Sequence, residues 1–182
     1  MTLSPTLWRT CRVLSGSTRL ALFRRIAKNP GLSVGALAKA ERISLGRASQ
    51  ELRRLQSRGI VSVERTGRFV LYYPDPDPSV SSAQPVLRAL QEICERFGAS
   101  ADERTARLAA GVSHEKRLAM VRVLQAGPLA VHEMRAALKI PAPTLWHHLR
   151  FLEIGGWVER ERGKWKLAPN DHPLAKCLLK LV

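Results

Sequence analysis

Acidic residues are scarce in this 182-residue chain, where 15 Asp and Glu stand against 30 Lys and Arg for a net charge of +15. That balance attracts polyanions, nucleic acid first and an anionic membrane surface second. Cysteine is scarcer. Cys11, Cys94 and Cys177 are odd in number and far apart, which argues against a disulfide framework and reads as small apolar residues rather than redox sensors. No apolar run approaches the roughly 18 residues of a membrane span. Arg9, Arg12 and Arg19 interrupt any signal-like core near the N-terminus, so a cytoplasmic or nucleoid setting is expected. The constellations of catalysis are missing too. No nucleophile–base pair, phosphate loop or carboxylate dyad emerges, and His132-Glu133 lacks the second His of a zinc-protease motif. The chain is not expected to be an enzyme, and no cofactor is implied.

What the chain does contain is one stretch written twice. ISLGRASQELRRLQSRGIV runs from Ile43 to Val61, and IPAPTLWHHLRFLEIGGWV from Ile140 to Val158. In the first, Leu45, Ala48, Leu52 and Leu55 recur at helical spacing and predict an inward apolar stripe, as do Leu145, Leu149 and Leu152 in the second. Arg47, Gln50, Arg54 and Arg58 fall on the opposite face of the first helix. Between residues 32 and 65, eleven positions are identical at an offset of 97, from Leu32/Leu129 to Arg65/Arg162. Chance would give about two. Before the turn the offset is 98, matching Arg19 with Arg117. We read an internal duplication.

Each copy predicts the same order of elements. In the first, Ser4-Pro5 caps a helix to Leu14, and a second helix runs from Arg19 to Ala27. Ser33 caps a short helix over Val34 to Ala40, Glu41 to Ser44 is a tight turn, and Ser44 caps the basic helix. IVSVERTGRFVLYY then reads as a β-hairpin with a basic tip. The hairpin recurs as WVERERGKWKL, one residue shorter, with Trp157 and Trp165 aligned to Ile60 and Phe69 and expected in the core of the wing. Trp8 is expected in a core or an interface. Residues 75–85, rich in Pro, Asp and Ser, read as a linker. Helices follow over Val86 to Phe97 and Asp102 to Ala110, and Leu174 to Leu181 closes the chain.

The expected fold is mainly α with small β-hairpin wings: two tandem winged helix-turn-helix domains, residues 1–78 and 114–182. Residues 79–113 supply a linker and connecting or dimerisation helices. The charge follows this division, with 14 basic and 5 acidic residues in 1–78, 4 of each in 79–113, and 12 and 6 in 114–182.

Both copies resemble winged-helix transcriptional regulators of the ArsR type, whose motif ends in a run like T-V-S-H-H-L-x-x-L-x-x-x-G-L-V. The second copy carries it at Thr144, Leu145, His147, His148, Leu149, Leu152, Gly156 and Val158, and the first at Ser49, Leu52, Leu55, Gly59, Ile60 and Val61. The resemblance implies a double-stranded DNA partner and two recognition helices, over 44–58 and 141–154. Many relatives bind metal through Cys near the recognition helix. SVGALAKA and AVHEMRAA contain none, so metal sensing by that route is not implied, and adjacent His147 and His148 cannot easily share an ion.

On the first recognition helix Arg47 and Gln50 suit guanine and adenine edges, while Ser49, Arg53 and Arg54 suit phosphates. On the second, Thr144 and His147 are the base readers and Arg150 the backbone contact. Trp146 either packs on a sugar or thymine methyl or marks a helix turned to another use. Arg65 and Arg68, then Arg162 and Lys164, offer wing contacts to the flanking backbone or minor groove. Glu51 is expected near this face, where it would disfavour a close phosphate. Family members usually present two such helices to grooves about 34 Å apart, which one duplicated chain can do as a pseudo-dimer on an asymmetric site. The terminal and connecting helices are the candidates for a homodimer contact. The alternatives are a tandem winged-helix protein-interaction module and a nonspecific architectural DNA binder.

Overall fold

The structure, a computed structural model, describes residues 6–182, so the expected Ser4-Pro5 cap lies outside the described residues. Among those residues no helix is long and apolar enough to cross a membrane. The chain divides into two compact units. One takes Gly16–Glu103; the other takes Leu7–Ser15 together with Arg104–Val182. Helix α1 (Leu7–Leu14) therefore belongs to the second unit, although the sequence pattern assigns it to the first. Residues 79–113 likewise do not stand apart, because the first unit claims them up to Glu103 and the second from Arg104.

In the first unit α2 (Ser17–Lys28) is followed by strand β1 (Leu32–Ser33), α3 (Val34–Ala40) and α4 (Leu45–Gln56). Ser33 Oγ accepts from the Ala36 amide at 3.3 Å and Ser44 Oγ from the Arg47 amide at 3.2 Å, so each serine starts its helix as expected. The turn between α3 and α4 places Arg42 at φ 52°, and the corresponding turn of the second unit places Lys139 at φ 54°. Leu20, Phe23 and Ile26 of α2, Leu37 of α3, and Ala48, Leu52 and Leu55 of α4 close the core. Leu45 does not join them. It is 60% exposed because, as the first residue of α4, it stands a turn ahead of the buried stripe that begins at Ala48.

β2 (Ser62–Thr66) and β3 (Phe69–Tyr73) form the wing, and β1 extends it to a three-stranded antiparallel sheet in the order β1-β3-β2. The residues after β3 are no free linker. The Asp77 amide donates to Gly59 O at 3.0 Å, Ser79 N and Oγ both donate to Asp77 Oδ1, and Val80, Ser82 and Ala83 are buried. An Asx-type turn thus folds this Pro-, Asp- and Ser-rich stretch against the end of α4. It leads into α5 (Ala83–Arg96), which packs on α2, and a 3-10 turn at Gly98–Ala101.

The second unit repeats the order with α6 (Asp102–Gly111) leading in, then α7 (Glu115–Gln125), α8 (Val131–Leu138), α9 (Ala142–Ile154), β4 (Val158–Glu161), β5 (Lys164–Leu167) and α10 (Pro173–Leu181). Trp157 Nε1 donates to Leu108 O at 2.7 Å, which ties the wing to α6. A Cβ on Gly155 would come within 2.8 Å of Gly111 Cα, so only glycine permits this crossing. Trp8 of α1 is half-buried, with the guanidinium carbons of Arg9 and Arg12 each 4.9 Å from its ring centroid.

The second wing is shorter than the sequence alignment suggests. Five residue pairs run from Ser62↔Tyr73 to Thr66↔Phe69, but only three from the corresponding Glu159↔Lys166 to Glu161↔Lys164. Outward from that position each strand is two residues shorter, rather than the tip one residue shorter, while Val158↔Leu167 adds a pair at the base. Trp157 and Trp165 are buried, as expected. The structural counterpart of Trp165, however, is Tyr72: Leu129 bridges Trp165 as Leu32 pairs with Tyr72, and both rings are buried while Phe69 is 50% exposed.

Candidate nucleic-acid interface

Helix α4 separates its two faces sharply. Ala48, Leu52 and Leu55 are fully buried, whereas Arg47, Gln50, Arg53 and Arg54 are exposed and Ser49 is half-buried. Arg47 lies in the first turn, the part of a recognition helix that reaches base edges. Its Nη2 donates to Thr18 Oγ1 at 3.1 Å, so α2 steadies the guanidinium without covering it. Thr18 carried no sequence signal for that role.

Glu51 is not on this exposed face. Its side chain is 13% exposed, its Oε2 accepts from Arg19 Nη1 at 2.6 Å, and its Oε1 accepts from Arg54 Nη1 at 3.0 Å. Burial alone would raise its pKa, but the hydrogen bond and charge of Arg19, joined by Arg54, hold the carboxyl below its usual range. The expected repulsion of a phosphate by Glu51 is thereby offset, and Arg54 divides its charge between Glu51 and the outside. The helical spacing that puts Glu51 beside Arg47 in a wheel says nothing of the arginine waiting on α2.

Helix α9 has a different outer face. Thr144 is half-buried, Trp146, His147 and Arg150 are exposed, and Arg150 is its one Lys or Arg. Trp146, 45% exposed, meets Trp165 edge-on at 6.3 Å, and His147 meets Phe151 edge-on at 5.0 Å. Phe151 and Ile154 are also exposed. His147 and His148 diverge as expected of neighbours on a helix, one outward and the other buried. His148 is pushed down to about 4 by burial and by the charges of His114, Arg117, His147 and Lys116.

On the first wing Arg65 and Arg68 are exposed, and the Arg68 guanidinium lies 5.2 Å from the Phe69 ring. On the second, Arg162 occupies the turn itself at φ 48° before Gly163 at φ 83°, and Lys164 is exposed with Nζ 3.6 Å from Glu133 Oε2. Two positive φ values in a two-residue loop are what a tight antiparallel hairpin requires. Because this wing is short, Arg162 sits at its tip while its sequence counterpart Arg65 sits within a strand, paired with Val70.

The cysteines are poor nucleophiles here. Burial pushes Cys11 up to about 12 and Cys94 and Cys177 each up to about 11. Among the described residues no group of three or more His, Cys, Asp or Glu is placed to hold a metal ion.

Residues 114–160 match the bacterial regulatory proteins of the arsR family. The matched span takes in α7, α8, α9 and the first strand of the second wing as far as Arg160. Over these residues the chain is similar to an ArsR-type winged helix-turn-helix, and the helical order with a small antiparallel hairpin agrees with that fold. A search of curated proteins gives no match for the chain.

Proposed function

We propose that the chain is a transcription regulator built as a tandem duplication of the winged helix-turn-helix, with α2 to β3 and α7 to β5 as its two copies and α4 as its principal reader of DNA. One observation carries this reading: α4 presents Arg47, Gln50, Arg53 and Arg54 outward from a helix whose inner face is fully buried. Arg47 and Gln50 address guanine and adenine edges, and Ser49, Arg53 and Arg54 the phosphates. In the second half Thr144 and His147 face bases, Trp146 a sugar or thymine methyl, and Arg150 the backbone. Arg65, Arg68, Arg162 and Lys164 reach the flanking backbone from the wings. Different outward residues on α4 and α9 imply an asymmetric target.

The exposed Trp146, Phe151 and Ile154 favour a second reading for α9, as a surface that docks a protein partner within a transcription or chromosome complex.

Fluorescence-anisotropy titration of the gene's upstream DNA and of a random duplex pool, across several salt concentrations, separates these readings. A regulator shows a steep negative salt slope and prefers the upstream DNA by about a thousandfold or more. A steep slope without preference means an architectural binder, and no binding at low salt means the interaction module. Replacing Arg47 and Arg53 by Glu should lower affinity by at least about a hundredfold, with stability changed by no more than about 0.5 kcal/mol because both side chains are exposed. Arg54 is left in place in this variant because it also serves Glu51.

A further inference from the structure

Arg117, in the first turn of α7, is 8% exposed, and among the described residues its guanidinium has no acidic partner. Its Nη2 donates to Ser113 Oγ at 3.1 Å, and the Phe151 ring lies 4.7 Å from its carbon. Among the described residues, Nε and Nη1 have no partner at all. Beside it His148, 7% exposed, has an unpartnered Nδ1, and the His114 and His148 rings are 4.6 Å apart. A buried charge left in this way is costly.

The surroundings make it more so. Arg12 and Lys116 add positive charge, with Glu115 the acid among these neighbours. Burial first, then Arg117, Lys116 and Arg12, depresses His114, and burial first, then His114, Arg117, His147 and Lys116, depresses His148. The N-terminus of α7, an eleven-residue helix, adds its own partial positive charge.

The first unit shows what is absent. Arg19 corresponds to Arg117, and there Glu51 supplies a carboxylate oxygen at 2.6 Å. At the position of Glu51 the second unit has His148.

We propose that the Arg117–His148 cluster is an anion site completed from outside the chain by a phosphate oxyanion, lodged between the N-terminus of α7 and helix α9. The guanidinium Nε and Nη1 and the His148 imidazole are separated donors, which a tetrahedral anion with several oxygens can meet together. Phe151, itself 42% exposed, covers the guanidinium, and rotation of its side chain opens the site. Exposed Arg12, Lys116 and His147 surround the approach. The phosphate comes either from the DNA backbone or from a free phosphate or phosphorylated small molecule. Because α9 carries buried His148 on one side and exposed Trp146 on the other, occupancy fixes the rotation of this helix.

The test is a titration of the full chain with inorganic phosphate, ionic strength held constant with chloride, followed by NMR of the arginine Nε–H and histidine ring signals. In the wild type, phosphate should displace the Arg117 Nε–H signal, raise the apparent pKa of His148, and lift the Tm by about 3 °C at ten times the dissociation constant. His148→Glu rebuilds the pairing seen at Arg19 and Glu51, so it should fold and bind phosphate at this site at least tenfold more weakly. No phosphate-specific displacement in the wild type would overturn the proposal, since water then satisfies Arg117. An equal response in wild type and His148→Glu would also overturn it, since phosphate then merely collects on a basic surface. Repeating the titration with duplex bound identifies the source. If DNA displaces the Arg117 signal and removes the phosphate response, the oxyanion is a backbone phosphodiester; if the response persists, it is a free ligand. The phosphate arm contains no DNA, so its failure leaves the proposed DNA-binding role standing.

Discussion

Arg19, Glu51 and Arg54 in the first unit correspond to Arg117, His148 and Phe151 in the second, and the two sets handle one inward guanidinium by different physics. In the first, a carboxylate sits between two arginines at 2.6 and 3.0 Å, so the inward guanidinium of Arg19 meets its counter-charge within the protein. In the second, an aromatic ring covers the guanidinium at 4.7 Å and a neutral histidine stands where the carboxylate would be. Shielding a cation with a ring lessens its exposure to water but leaves its charge in place. The same exchange alters the outer surfaces: α4 shows a row of arginines, α9 a row of aromatics with Arg150. One scaffold thus presents a basic outer helix whose inward arginine neighbour meets a carboxylate and an aromatic outer helix whose inward arginine neighbour meets a ring.

The largest way to break this comparison is Glu51→Leu. It removes the carboxylate that faces Arg19, whose side chain is 14% exposed, and should cost about 3 kcal/mol in urea unfolding. A loss well under 1 kcal/mol would mean that the pair is not what holds α4 to α2.

Acid should separate the units next. His148 is held at about 4 in the folded chain, against about 6.5 when unfolded. Between those values the unfolded state binds a proton that the native state refuses, so the second unit loses stability as pH falls from about 7 towards 4. Glu51 behaves in the opposite sense: its lowered pKa contributes stability that is present above the unfolded carboxylate value, about 4.3, and lost only as pH falls through the folded value. Tryptophan fluorescence can follow this, because Trp8, Trp146, Trp157 and Trp165 all lie in the second unit while Tyr72 and Tyr73 lie in the first. His148→Gln should flatten the tryptophan-detected slope; an unchanged slope would assign the acid sensitivity elsewhere.

Phe151→Ala should destabilise the second unit by about 1–2 kcal/mol through the lost stacking and burial, and the tryptophan-detected urea midpoint reads it. Arg54→Ala is the smallest change. Arg54 is 55% exposed, so its i,i+3 pair with Glu51 contributes no more than about 0.5 kcal/mol, while duplex affinity should fall measurably. If stability fell as far as in Glu51→Leu, the division of labour between Arg19 and Arg54 would be reversed.

Much of this was legible along the chain wherever an interaction is local. Ser33 and Ser44 mark helix starts because a cap reaches only three residues, and Leu145, Leu149 and Leu152 mark a buried face because helical periodicity is local. Leu45 shares that periodicity, yet burial stops where the neighbouring helices stop. The wing tips share Arg and Gly, so composition could not tell a missing tip residue from two shortened strands; only the pairing of Leu129 with Trp165 does. Glu51 looked outward because its partner Arg19 is 32 residues away.

The order of elements, the repeated stretch and the choice of Arg47 and Gln50 as outward residues are written in the sequence, since each depends on spacing within a helix or hairpin, while the basic excess follows from composition alone. Which unit holds α1, which residue faces Trp165 from the first wing, and whether an inward arginine meets a carboxylate or a ring are settled by tertiary structure. Those outcomes depend on distances between segments remote in the chain, and a charge changes its meaning with the partner that packing brings within about 3 Å of it.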